Sequence, residues 1–588
     1  MRFVLEKIKK NYFELILFSW CSYLLYPILG SGLLADDAYN FQIGGKIIDE
    51  NISILKVYLN ETYGWLKVSG RIFPLHWYVY FLNYFVNNLL LLKLIILLLN
   101  LILFFTIFKV IKLLKNNNLA ILFIIFFTSI YFFRNNFDPI ITWNGRNQLI
   151  FIFFFLSIFH LIKFEYFKKS INKNLSYIFY LISILFYEIA YLNFLIIFLI
   201  IFNFNRDKKF IEIIRRNFFY TSTSIILIIL SILFKSNYSP FYIFSDVKKP
   251  EIYGGAKFDL SNFFESLILQ LSTTLDFYKN YFDYDYLFVN LQFLDYVFFI
   301  FSVPFITIIF SKIFKKKNLN NLKLIFVIGL LNILIPAIII SVSSKYQNYF
   351  LNGTYSTYSN IYYQVIGFAI VLASLLCLFS IPKKNLRLFI FFLFSLLVVY
   401  SSATSLSLNI DFNNQRSLSY KKTPLLIDKS LDKGIFENVY ENSIILQNRK
   451  LPVDWYWYYA RKTKKIYNFC ELKNFFSENC LKKKYFFEDE LFDQKNLNLN
   501  LINHNIYAFY YYFNKKNLSG FVNLYKISTI TKKNNEIEIY ANEALVYNEK
   551  ENTLSKKIFE RNLNIVNLFN DIENLNKLLR DDTLKINE

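Results

Sequence analysis

The segment GLLADDAYNFQIG (32–44) places two adjacent carboxylates, Asp36 and Asp37, directly after an apolar run of bilayer-spanning length. An acid pair at the edge of lipid costs free energy unless water, a cation or a substrate meets it. The charge on either carboxylate raises the pKa of the other, a direction that suits a proton-accepting base. Tyr39 and Asn40 follow at once. Further groups able to bind or react stand in other short segments: Arg71 in GRIFPLHWY (70–78), Asp138 in RNNFDPIITWNGRNQ (134–148), Glu188 in FYEIAY (186–191), and Lys345, Tyr346 and Gln347 in SSKYQNYF (343–350).

Each of these has a plain structural reading as well. The aspartates can be a solvated helix end, and Asp138 before Pro139 can start a turn. Arg71 can snorkel to lipid headgroups. Glu188 can hydrogen-bond within a helix bundle, although an ionisable residue in so apolar a setting is a functional hypothesis by default. His76 and His160 read as interfacial and core residues rather than ligands. The aromatic stretch DWYWYYARK (454–462) reads as core or membrane contact ahead of a sugar-stacking surface.

The elements that must position these groups are membrane helices. With 55% hydrophobic residues, 20% aromatic residues and a positive mean hydropathy over 588 residues, the chain is too apolar for a soluble protein of its size. The net charge of +22 says little about partners, because abundant Lys and Asn with a single Met point to an A+T-rich coding sequence; no nucleic-acid partner is expected. Apolar runs fall at roughly 12–34, 88–113, 119–135, 148–165, 176–204, 218–235, 296–314, 322–343, 360–380 and 385–405.

Short basic segments at 109–118, 164–174, 205–217, 312–323 and 382–387, together with the basic start, must face the cytoplasm. The run 176–204 has basic loops at both ends, so it must be two short helices with a tip near Tyr187, Glu188 and Asn193. About eleven spans result, with the N-terminus inside and the C-terminus outside. All the candidate groups then converge on the external face. The expected fold class is an α-helical polytopic membrane protein over residues 1–405, with a C-terminal α+β extracytoplasmic domain over 406–588. Strands are predicted at 505–513, 520–530 and 535–548, and an amphipathic helix in the last forty residues. Cys470 and Cys480 lie in that tail and can pair in an oxidising compartment.

The ordered set DDAY, RIFPL, FDPIITWNG and FYE resembles membrane glycosyltransferases of the GT-C type, in particular bacterial O-antigen glucosyltransferase-like proteins. The resemblance covers roughly residues 12–205 and, more loosely, the KYQ and YYQVIG stretches to about 370. Phe137 stands where a His or another polar residue would be more familiar. The resemblance implies a sugar donor on a polyprenyl phosphate, a glycan, lipid or protein acceptor, and a place in the bacterial inner (plasma) membrane.

It assigns catalysis to Asp36, Asp37 and Asp138, with Asp36 slightly preferred as the base. It assigns substrate binding to Arg71, Tyr39, Glu188, Lys345, Tyr346 and Gln347. Arg71 is the candidate for the leaving phosphate. A divalent cation, Mg or Mn, would be held by Asp37 and Asp138 if one is used. The competing readings are a polysaccharide polymerase or ligase, for which Arg-rich external loops are expected, and a lipid or solute transporter, for which repeated halves with acids at mid-bilayer are expected.

Overall fold

The computed structural model describes residues 2–34, 36–86, 88–235, 260–273, 290–315, 319–342, 347, 360–381, 383–415, 418–447, 462–471, 496–501, 504–514, 519–533 and 536–565. The chain folds as two compact units: Met1–Asp37 with Leu55–Ser417, and Ala38–Ile54 with Leu418–Glu588.

The first unit is helical. α1 (Arg2–Leu25) runs into a 3-10 turn at Tyr26–Gly30, and α2 (Asp36–Asn40) opens on the acid pair. α3 (Ile43–Asp49) belongs to the second unit, and the first continues with the amphipathic α4 (Ile54–Ser69), α5 (Tyr78–Phe85), α6 (Leu89–Leu113), α7 (Asn117–Ile130) and α8 (Arg146–Phe167). The apolar stretch 176–204 divides as its flanking charges require. α9 (Ser170–Phe186) ends at Tyr187 in extended backbone, a 3-10 turn covers Glu188–Asn193, and α10 (Phe194–Phe204) returns. Helix α11 (Phe210–Lys235) follows.

Among the described residues, six helices are long and apolar enough to cross a membrane by length and composition, in keeping with a helical membrane protein. Four further apolar helices have 10–17 residues, so the expected eleven spans are not all matched by helices of full spanning length among the described residues. The boundary expected at 405 falls inside a helix that runs from Lys384 to Gln415. That helix continues because Leu406, Asn409 and Phe412 keep a buried face at helical spacing, and Asn409 accepts a hydrogen bond from the Phe133 amide (2.6 Å).

The helices Leu322–Ser341 and Asn360–Leu376 cross closely through a pair of glycines. A Cβ at Gly367 would lie 2.6 Å from the Gly329 carbonyl oxygen and 2.9 Å from the Ile333 nitrogen, both rigid backbone atoms. Gly367→Ala is therefore expected to force the helices apart and cost about 1–3 kcal/mol. An unfolding midpoint equal to wild type would show that the crossing tolerates the methyl group.

In the second unit, among the described residues, a seven-stranded sheet has the order β2-β1-β4-β5-β6-β7, with β3 pairing β5. The strands are β1 (Ile444–Gln447), β2 (Asn468–Glu471), β3 (Asn496–Asn500), β4 (Ile506–Asn514), β5 (Ser519–Lys533), β6 (Glu536–Asn548) and β7 (Thr553–Asn564). β4, β5 and β6 lie where alternating aromatic and β-branched residues predict them. β7 corrects the expected terminal helix over Thr553–Asn564, where it pairs antiparallel with β6; residues 566–588 lie outside the described residues. The pairing of Cys470 with Cys480, and the stretch 454–461, lie outside the described residues.

Candidate functional site

The acid pair divides into two unlike carboxylates. Asp37 is fully buried. Its Oδ2 lies 3.4 Å from the Lys93 ammonium and its Oδ1 accepts the backbone N–H of Asn144 at 3.0 Å. Lys93, one turn into α6 and itself fully buried, also donates to the Ile141 carbonyl at 2.7 Å. Asp37 and Lys93 thus tie the start of α2, the start of α6 and the loop 134–148 together. Asp36, in contrast, is exposed, and its Oδ2 accepts from the indole Nε1 of Trp143 at 3.1 Å. Its Oδ1 has no hydrogen bond among the described residues.

The turn that meets both aspartates is unusual. Trp143, Asn144 and Gly145 all have positive φ, at 53°, 50° and 80°. Asn144 and Gly145 are types that enter this region most readily. The turn is held by the Asp37 contact and by Tyr78, whose hydroxyl donates to the Asn144 carbonyl at 2.6 Å. It leads straight into α8, whose first residue is Arg146.

Arg146 is buried, 3% exposed, with its guanidinium 4.9 Å from the Trp143 ring centre and 4.2 Å from that of Tyr187. Its Nη1 donates to His76 Nδ1 at 3.3 Å. Burial, then the charges of Arg146 and Arg71, hold His76 well below its usual pKa, so the ring is neutral with its proton on Nε2. Among the described residues, Arg146 Nε and Nη2, Asn144 Nδ2 and Oδ1, and Asn147 Nδ2 have no hydrogen-bond partner. A buried polar group left unmet costs about 1–3 kcal/mol, more when charged.

Arg71 has a different situation. Its Nε donates to both Glu188 oxygens, at 3.1 and 3.0 Å, and its guanidinium stacks over Phe73 and Tyr187. The residue expected to grip a phosphate is already paired with the carboxylate expected to bind substrate. Both contribute to the wall around Tyr187.

Asp138 is turned to its own loop. It accepts from the Tyr131 hydroxyl and from the amides of Arg134 and Ile140, while its carbonyl caps Thr142. Among the described residues it shares no hydrogen bond with the acid pair; its carboxylate organises the loop that ends in Trp143. The side-chain oxygens of both Asp37 and Asp138 accept from protein donors, and the two carboxylates share no donor among the described residues. Among the described residues no group of three or more His, Cys, Asp or Glu is placed to hold a metal.

Tyr39 lies in α2, beside the pair in sequence. Gln347 is buried and donates to the Ser341 carbonyl at 2.8 Å, with no hydrogen bond to the acid cluster. Lys345 and Tyr346 lie outside the described residues. Lys93, Trp143 and Arg146 were not anticipated. A lone Lys inside LLLLKLIILLL is the signal for the first, since a charge within an apolar span seeks a named partner.

Burial lifts Asp37 from the ordinary 3.8 to about 6, opposed by Lys93 and helped by Asp36. The folded state therefore holds this proton more tightly than the unfolded chain. Stability from this group is fully present below about 4 and lost as pH rises through about 6. The stability of wild type relative to Asp37→Asn is expected to decline between pH 4 and pH 6 and then level off. Melting curves across that range test this, and a difference constant with pH would contradict the shift.

No protein-family model matches this chain, and no curated protein matches it.

Proposed function

We propose that the protein is an inverting-type glycosyltransferase that moves a sugar from a polyprenyl-phosphate donor to a hydroxyl of an envelope glycan, lipid or protein. The observation that carries this reading is the division of labour within the acid pair. Asp37 is locked in a buried ion pair that fixes the turn, which leaves Asp36 as an exposed carboxylate with one oxygen unbonded among the described residues and the other aligned by Trp143.

In the proposed step the acceptor oxygen attacks the anomeric carbon as the carbon–oxygen bond to phosphate breaks. The phosphate leaves with the bonding electrons, and Asp36 Oδ1 takes the acceptor proton. Asp37, Lys93 and Trp143 touch no reacting atom in this scheme; they hold Asp36 in place. The basic loops support an orientation with this site on the outer face of a bacterial inner membrane, about eleven spans and the sheet-containing unit outside.

Purified protein in nanodiscs, supplied with polyprenyl-phosphate hexoses and an envelope-derived acceptor fraction, is the test. Enzyme-dependent release of polyprenyl phosphate supports the reading. Intact donor throughout a panel of hexoses, with the protein folded, would remove it.

A further inference from the structure

We propose that Asn144, Arg146 and Asn147 form a phosphate-binding cradle at the start of α8. Three of four consecutive residues, each nine-tenths or more buried, leave hydrogen-bonding atoms unmet among the described residues: Asn144 Nδ2 and Oδ1, Arg146 Nε and Nη2, and Asn147 Nδ2. Arg146 is a permanent cation and no carboxylate pairs with it among the described residues. Among the described residues, three acids of this region are committed elsewhere: Glu188 to Arg71, Asp37 to Lys93 and the Asn144 amide, and Asp36 to Trp143 through one oxygen.

The partners Arg146 does have are those that orient a guanidinium without neutralising it. Neutral His76 accepts from one nitrogen, and the rings of Trp143 and Tyr187 flank the plane. The other edge, Nε and Nη2, is the fork that matches two oxygens of a phosphate. Two features favour phosphate over a carboxylate ligand. The amides of Asn144 and Asn147 supply donors for further oxygens, and the 22-residue helix α8 begins at this point with its positive dipole end. The Asn147 side chain is held ready by Tyr363, whose hydroxyl donates to its Oδ1 at 2.8 Å.

The cradle also lies on the same short stretch that anchors Asp36 through Trp143, so one turn would grip a leaving phosphate and align a base. That last step rests on the glycosyltransferase reading; the anion site does not. The phosphate is that of a lipid carrier or free inorganic phosphate, and the two sources differ in whether an alkyl chain adds affinity.

The experiment is calorimetric titration of the full chain in nanodiscs with inorganic phosphate, dodecyl phosphate and acetate. Wild type is expected to bind both phosphates and not acetate, with dodecyl phosphate tighter if the carrier is a lipid. Arg146→Gln is expected to weaken phosphate binding about 10- to 100-fold, the loss of charge-assisted bonds. Arg146→Lys keeps the charge without the fork and should lie between. Lys109→Gln, a paired cation at the far end of α6, should bind as wild type and so excludes a nonspecific charge effect.

Equal affinity for acetate, undiminished binding by folded Arg146→Gln, or no phosphate binding by folded wild type would each overturn the cradle. If Arg146→Gln fails to fold, the Arg146→Lys and wild-type titrations decide alone. Phosphate binding through Arg146 without sugar transfer would keep the cradle and remove the transferase reading. Transfer with unchanged phosphate affinity in the variants would do the reverse.

Discussion

Asp36→Asn is expected to leave the protein folded and to cut sugar transfer by about 10²–10⁴-fold, the usual consequence of losing a positioned base. The substitution is close to isosteric. The new side-chain oxygen can still accept from Trp143 Nε1, so the turn keeps its support, and Asp36 is exposed, so no buried group is left unmet. What disappears is the capacity to accept a proton. Rate and melting midpoint should therefore separate cleanly at this position. They should not separate at Asp37, where Asn would weaken a buried ion pair and an amide contact together. Turnover by purified Asp36→Asn within a few-fold of wild type would return the acid pair to the status of a helix end.

The second large effect falls on stability. Lys93→Met removes the only ammonium paired with Asp37 among the described residues and leaves a carboxylate buried without its counter-charge, at a cost of about 3–5 kcal/mol. The Ile141 carbonyl loses its donor at the same time. The double variant Lys93→Met/Asp37→Asn should be substantially more stable than Lys93→Met alone, since a neutral pair has no unpaired charge. A double-mutant cycle in denaturant measures this coupling. Simple additivity of the two losses would show that the ion pair contributes nothing beyond its separate parts. Because Asp37 can take up a proton, the penalty in Lys93→Met should also shrink as pH falls.

Much of the frame was legible because it follows from solvent. The apolar run at 88–113 matches α6 at Leu89–Leu113 almost to the residue, and the basic flanks of 176–204 located the break at Tyr187 without any knowledge of packing. The β4–β6 strands were legible from alternation. β7 was not: its last residues, FERNLN, belong to a stretch read as helical, and pairing with β6 prevailed over that local preference.

At the site, adjacency in sequence identified the acids but could not rank them. Their difference arises from contacts with residues 56 and 107 positions away, which no local pattern encodes. Arg71 and Arg146 look equivalent on paper. Only the fold reveals that Glu188 occupies the first and that the second is left with open donors. Asp138 shows the opposite case, an acid beside a proline whose ordinary turn-forming habit accounts for its contacts.

The short apolar helices bear on the membrane itself. α7 has 14 residues and the Asn360–Leu376 helix, which packs against it, has 17. Their lengths are about 21 and 26 Å. A typical hydrocarbon layer is about 30 Å deep. Most residues of both helices are buried, so their sides are met by protein and not by lipid. The helices that turn large apolar side chains outward, Leu89–Leu113, Phe210–Lys235 and Lys384–Gln415, have 25, 26 and 32 residues, so the outward-facing helices have the length to span the layer while the short pair acts as an interior strut freed from that requirement.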